Sequence, residues 1–326
     1  MPPAGPPGDS GASGPLNVTR RRALAAGVAA LVALAILYGV LPRVAGLDET
    51  WERISRGDPW ALALAAAFEV GSFAGYVVLF RAVLGRGVAA IGWAASWRIT
   101  LAGVAASRVL GAGGAGGVAL TVWALRRAGL PRRRVAIRMS AFLVLLYAVY
   151  TAALLLGGIG LRSGVLHGPA PFALTVVPAA FGALAIALAL LGRRVPVVGE
   201  GVRAALALLR ARDPALLGAV AWWAFDVGAL WACLAAFGAA PPGGVVVMAY
   251  FVGTLANLLP LPGGVGGVEG GVIGALVGLG TPAGPAIAGV LAYRALSLWL
   301  PALAGTVAYV QLVRASRAQR VAAAHS

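Results

Sequence analysis

The hydrophobic positions of this 326-residue chain fall in long runs, and the clusters between the runs are polar and mostly arginine. Runs over about 23–41, 60–80, 138–161, 172–191, 215–238 and 286–312 approach or exceed the ~18 apolar residues that cross ~30 Å of hydrocarbon. Two further apolar regions, 91–125 and 244–280, are each interrupted in the middle by glycines. The pattern predicts an all-α polytopic membrane protein, a helical bundle with two broken segments.

The arginines orient the set. Nineteen of them lie at 20–22, 81 and 86, 126–138, 193–212 and 314–320. Placing these on one side, the cytoplasmic one, leaves only Arg43, Arg53, Arg56 and Arg162 on the other, with Arg98, Arg108 and Arg294 at membrane depth. Both termini are then cytoplasmic. Region 91–125 must start and end inside, and region 244–280 must start and end outside. Each is a hairpin whose arms, at ~15 residues and 1.5 Å per residue, reach about 22 Å, short of a full crossing. We expect two re-entrant hairpins entering from opposite faces. Two pairs of short full spans would give the same topology.

The chain also repeats itself. GVAASRVLGAGGAGGVAL (103–120) aligns with GTLANLLPLPGGVGGVEG (253–270) at an offset of 150, matching at seven of eighteen positions. Upstream, DPWALALAAAFEVG (58–71) resembles DPALLGAVAWWAFDVG (213–228), which places Glu69 and Asp226 at equivalent points of a shared F-[ED]-V-G. The expected organisation is one transmembrane domain over 20–320 built as an inverted repeat, with copies at about 20–162 and 170–314. Residues 1–19, rich in Pro, Gly and Ser, are expected to be disordered. Arg20–Arg22 and the run from Ala23 to Leu41 resemble a signal peptide, but the run is long and is read as a retained first span. Residues 315–326 form a basic tail. The segment 197–213 sets Val202, Ala205, Leu206 and Leu209 on one helical face with Arg203 and Arg210 elsewhere, the pattern of a helix lying on the membrane surface.

Composition agrees. Hydrophobic residues make up 60% and charged residues 11%, and the mean hydropathy is +0.90. The net charge of +16 comes entirely from arginine gathered at span ends. It reads as topology and attraction to anionic lipid, so nucleic acid is not an expected partner. One cysteine, Cys233, excludes a disulfide, and two distant histidines, His167 and His325, offer no metal site or catalytic triad. GAGGAG at 111–116 spells a dinucleotide fingerprint, but no strand precedes it. No cofactor or metal is expected.

Candidate chemistry lies where the helices break. Pro260 and Pro262 end a helix, at ~3 kcal/mol for an interior proline, and lipid offers no water to satisfy the freed amides. The helix restarting near Val268 turns free N–H groups and a positive dipole end inward, where an anion such as a phosphate head group binds. Gly263, Gly264 and Gly266 would line that turn and Asn257 would add a neutral hydrogen bond; tight helix packing is the other reading of the glycines. Glu269, in the first turn of the restarted helix, complements the dipole locally or binds a cationic group or a proton. Arg108 and Arg294, charges at membrane depth, would hold phosphate or form structural ion pairs with Glu69, Asp226 or Glu269. Trp222, Trp223 and Trp231 share one span and read as packing or interface anchors.

The pattern N-x-x-P-x-P-G-G-x-G-x-x-E formed by Asn257, Pro260, Pro262, Gly263, Gly264, Gly266 and Glu269 resembles the signature of the lysylphosphatidylglycerol synthase transmembrane region, also called the flippase-like domain family. In fused members the resemblance implies a membrane region that translocates aminoacylated phosphatidylglycerol beside a soluble domain that makes it. No soluble domain follows up to Ser326, so a synthase activity is not implied. The first hairpin, VLGAGGAGGVAL, lacks the Pro and acid that relatives carry nearby. The function expected is a non-enzymatic lipid flippase of the cytoplasmic membrane acting on an anionic or aminoacylated phospholipid or other lipid phosphate. A membrane enzyme acting on lipid-linked substrates, or a subunit that organises a separate lipid-modifying enzyme, are the alternatives.

Overall fold

Every regular element among the described residues is helical, as a lipid environment demands of a backbone that must satisfy its own hydrogen bonds. The computed structural model describes residues 57–110, 115–258 and 266–297 together with isolated helical positions at 301, 305, 308 and 311, all within one unit, Gly46–Ser326. The expected first span at 23–41 and the two terminal tails lie outside the described residues. The helices are α1 (Pro59–Val83), α2 (Trp93–Leu110), α3 (Ala115–Arg127), α4 (Arg132–Arg162), α5 (Phe172–Leu191), α6 (Pro196–Arg210), α7 (Leu217–Ala236), α8 (Gly243–Thr254), α9 (Gly267–Gly278) and α10 (residues 283–297).

Among the described residues four segments are long and apolar enough to cross a membrane: Pro59–Val83, Arg132–Arg162, Phe172–Arg194 and Pro214–Ala236. Three arms of the broken regions are shorter: at 1.5 Å per residue α3 reaches about 20 Å and α8 and α9 about 18 Å each, below the ~30 Å of the hydrocarbon core, whereas α2, with 18 residues where ~15 were expected, reaches about 27 Å.

The two Asp-Pro pairs do the same work. Asp58 Oδ1 accepts the Trp60 N–H at 2.9 Å, and Asp213 Oδ1 accepts the Ala215 N–H at 3.0 Å, each with proline in the first helical turn. Such a cap contributes about 1 kcal/mol. Asp213 heads a short 3₁₀ turn, Pro214–Leu216, which accommodates the longer spacing from Asp-Pro to F-[ED]-V-G in the second copy.

These capped helices, α1 and α7, pack antiparallel. The Asp58 N–H donates to Ala236 O at 3.0 Å at one end, and at the other a Cβ on Gly218 would overlap the Gly75 carbonyl. Without hydrophobic drive between helices in lipid, small residues that let backbones approach supply the packing. Midway, Gly71 lies under the Phe225 ring and Gly228 under the Phe68 ring, and the two rings sit 5.8 Å apart. The F-[ED]-V-G motifs thus embrace each other reciprocally. Ser72 Oγ donates to Trp222 O at 2.8 Å across the same contact.

The hairpins begin at opposite ends of this bundle. Helix α2 starts beside the C-terminal end of α1, where the Arg81 guanidinium bonds Ile91 O and lies 5.6 Å from the Trp93 ring centre. Helix α3 ends immediately before α4, and Leu125 and Leu130 share a core with Leu84, Val135 and Met139. Helix α8 instead starts beside the C-terminal end of α4, with Gly244 against Leu161 and Leu166. Helix α9 returns to the same end, where Gly278 and Gly280 meet Leu174 and Pro169. Inside the second hairpin a Cβ on Gly271 would lie 2.8 Å from Gly253 O. Inside the first, the Gly117 N–H donates to Ser107 Oγ at 2.9 Å.

Helix α6 lies against α4 at Gly201, where a Cβ would meet Ile137, Ser140 and Ala141, with Val202 and Ala205 buried, while Arg203 and Arg210 are exposed. Leu209, on the apolar face that the sequence marks, is 51% exposed. The arginine-rich ends of the helices gather together: Arg86 pairs with Asp213 at 2.5 Å, Arg133 pairs with Glu200, and Arg138 donates to Leu84 O at 2.9 Å.

Candidate functional site

The second broken region assembles the site. Helix α8 ends at Thr254 and tightens into a 3₁₀ turn, Leu255–Leu258, on which Asn257 is exposed. Gly263 and Gly264 lie outside the described residues. The chain is described again at Gly266, whose φ of +82° is accessible to glycine and strained for other residues. Helix α9 starts at the next residue.

Glu269 occupies the third position of α9 and is buried, at 4% exposure. Its Oε2 accepts the Gly266 N–H at 2.8 Å, the reciprocal half of a capping box. Its Oε1 accepts from Arg294 Nε at 2.8 Å, and Arg294 on α10 is 3% exposed. The helix start that the sequence marks as an anion site therefore holds an anion of its own, the Glu269 carboxylate. An ion pair this deep costs several kcal/mol to desolvate per ion and is held by its mutual attraction.

A second polar cluster lies one residue away on α10. Tyr293, next to Arg294, donates to Asp226 Oδ1 at 2.9 Å, and Tyr250 of α8 donates to Asp226 Oδ2 at 2.5 Å. Asp226 sits on α7, half-buried. Its counterpart Glu69 on α1 is buried at 4% exposure and lies within electrostatic reach of Tyr293 and Cys233. Tyr150 of α4 donates to Phe251 O at 2.6 Å, and its hydroxyl lies 3.2 Å from Thr254 Oγ1 in the last turn of α8.

Of the residues singled out from the sequence, the fold joins Gly266, Glu269 and Arg294 directly and sets Asp226 beside them through Tyr293. Asn257 stands apart in the exposed turn. Arg108 falls in the last turn of α2, and its side chain lies outside the described residues. The tyrosines Tyr150, Tyr250 and Tyr293 were not legible as a group. The available signal was generic: a phenol hydroxyl inside an apolar helix needs a partner. Trp223 takes a packing role, donating from Nε1 to Leu146 O at 2.8 Å, and Trp222 stacks near Tyr76 at 4.7 Å. Among the described residues no three His, Cys, Asp or Glu side chains converge as a metal site requires.

Comparison with known proteins places this architecture. A UPF0104 membrane protein of Methanothermobacter thermautotrophicus (strain Delta H) is 37% identical over 89 residues, which is 27% of this chain and 25% of that protein. The chain thus matches about a quarter of the length of that curated relative. Residues 24–305, most of the sequence, match the family described as the lysylphosphatidylglycerol synthase TM region. With its apolar helices, its glycine-broken segments and this match, the chain is a multi-pass membrane protein that belongs to the lysylphosphatidylglycerol synthase TM region family.

Proposed function

We propose that this protein is a lipid flippase of the cytoplasmic membrane, which moves an amphiphile with a phosphate head group between leaflets. The observation that carries the reading is the buried Glu269–Arg294 pair at the start of a broken helix. A guanidinium and a helix N-terminus aimed at one buried carboxylate are the groups that would receive a phosphate. Exchange of the Glu269 carboxylate for a lipid phosphate leaves Arg294 paired throughout, so no uncompensated buried charge arises. Glu269, once displaced, takes a proton or an amine carried by the same head group. Asp226, held by two tyrosine hydroxyls on α8 and α10, is a second carboxylate that could take part in that task.

An inverted repeat supplies the alternation. The equivalent Asp-Pro caps, the reciprocal Gly71–Phe225 and Gly228–Phe68 contacts and the entry of the two hairpins at opposite ends support two halves related by a pseudo-two-fold axis in the membrane plane. The short arms α8 and α9 support a re-entrant second hairpin. The gathering of arginines at one end of the helices supports cytoplasmic placement of that end. The family description names an enzyme of lysylphosphatidylglycerol synthesis, so an aminoacylated phosphatidylglycerol is the first lipid to test.

The test is reconstitution in liposomes with fluorescent phosphatidylglycerol and its lysyl ester. Wild type is expected to move lipid faster than empty liposomes, and Arg294→Ala is expected to lose at least tenfold in rate, the loss of one charge-assisted contact at ~1.5–3 kcal/mol. Wild type no faster than empty liposomes refutes the function. An active wild type matched by Arg294→Ala refutes the site alone.

A further inference from the structure

The face of α10 that carries Tyr293 and Arg294 holds one more polar side chain, Ser297. At 3.6 residues per turn it projects about 40° from Tyr293 and about 60° from Arg294, between the two and one turn further on. Helical side chains lean toward the N-terminus, so Ser297 covers the turn that presents Arg294 to Glu269 and Tyr293 to Asp226. Ser297 is 3% exposed, and among the described residues its Oγ has no hydrogen-bond partner. Other helical hydroxyls behave differently. Ser96, Ser107, Thr151, Thr175 and Thr254 each donate to the carbonyl four residues earlier, at 2.8–3.0 Å. Thr100 and Thr281 also lack partners among the described residues, but one lies on α2 and the other ahead of α10, and neither is on this turn.

A hydroxyl this deep that bonds nothing bears its full desolvation cost and stands available to a ligand. The Glu269 carboxylate is planar. One of its oxygens takes the Gly266 N–H and the other takes Arg294 Nε. A carboxylate has no oxygen outside that plane to offer. A phosphodiester in the same seat is tetrahedral and brings two further oxygens out of the plane. It can accept from the Gly266 N–H, from Arg294 and from the Ser297 hydroxyl together. A third donor on the turn beside Arg294 therefore favours the larger anion over the smaller one.

On the reading of the Glu269–Arg294 pair as a head-group seat, we propose that Ser297 sets its selectivity, donating to a seated phosphodiester so that a tetrahedral phosphate is taken in preference to a carboxylate of equal charge. The test is native mass spectrometry of the full chain, freed of co-purified lipid, with three lipids of the same acyl chains: phosphatidylglycerol, diacylglycerol hemisuccinate and diacylglycerol. The first two each carry a single negative charge. Wild type is expected to retain phosphatidylglycerol about tenfold better than the hemisuccinate, the factor one hydrogen bond to a charged group supplies. Ser297→Ala and Ser297→Val are expected to erase that preference. Ser297→Thr, which keeps the hydroxyl at the size of valine, is expected to keep it. In lipid-free detergent Ser297→Ala is expected to melt at or above the wild-type temperature, since no hydrogen bond is lost. Equal retention of the two anionic lipids by wild type, or a preference unchanged in Ser297→Ala and Ser297→Val, overturns selection by Ser297 and leaves the head-group seat standing. A melting temperature lowered by Ser297→Ala shows that the hydroxyl is already satisfied and overturns it as well. Retention of both anionic lipids no better than that of diacylglycerol refutes the seat itself, and the selectivity with it.

Discussion

Removing one member of the Glu269–Arg294 pair exposes how the site is held. At 2.8 Å and an effective dielectric of about 20 the attraction is roughly 6 kcal/mol, offset by several kcal/mol of desolvation for each ion. The pair therefore adds little net stability while whole, and its destruction by halves is costly. Glu269→Gln keeps the shape but strips the charge, leaving Arg294 buried beside a neutral amide. Arg294→Met leaves Glu269 buried without its guanidinium partner. Each single variant is expected to lose about 3–5 kcal/mol. By the scaling for domains of 150–250 residues that is about 6–20 °C in melting temperature. The double variant removes both charges, so it is expected to lose less than either single one. Thermal unfolding of the four proteins in the same detergent completes a double-mutant cycle. Losses in the double variant equal to the sum of the single losses refute the coupling, and with it the claim that the helix start and Arg294 are joined through Glu269.

Three further outcomes follow from the same geometry. Tyr250→Phe and Tyr293→Phe each remove a hydrogen bond to a carboxylate and are expected to cost about 1.5–3 kcal/mol in unfolding experiments, with a smaller combined loss when Asp226→Asn is already present. Gly266→Ala forces a side chain into the left-handed region and is expected to cost about 1–2 kcal/mol; Gly266→Asn, better tolerated there, is expected to cost less in the same melts. Arg212→Cys and Ser163→Cys, at opposite ends of the helices and both exposed, are expected to label from opposite aqueous compartments in oriented vesicles, while the buried native Cys233 stays unlabelled.

Much of the molecule could be read before any coordinates. The span over 60–80 became α1 and that over 172–191 became α5 with little change at their boundaries. The glycines at 103 and 253, matched at an offset of 150, both sit within hairpins whose paired arms approach closely. The two Asp-Pro pairs aligned in the sequence both cap a helical start, and Glu69 and Asp226 lie on the two helices that embrace each other.

What came from the chain alone is whatever a single segment enforces on itself. In lipid a helix must bond its own backbone, so length, apolar runs, prolines, glycines and caps write its position and its breaks directly into the sequence. Pairing across the bundle is different. The spans are apolar on nearly every side, so composition carries little information on which way a helix is rotated. That Arg294 reaches Glu269 twenty-five residues away, and that Asp226 meets Tyr250 and Tyr293, depends on helix rotation and register. Those are set by how small residues let the backbones close on one another, and it is that packing which filled an expected phosphate site with the protein's own carboxylate.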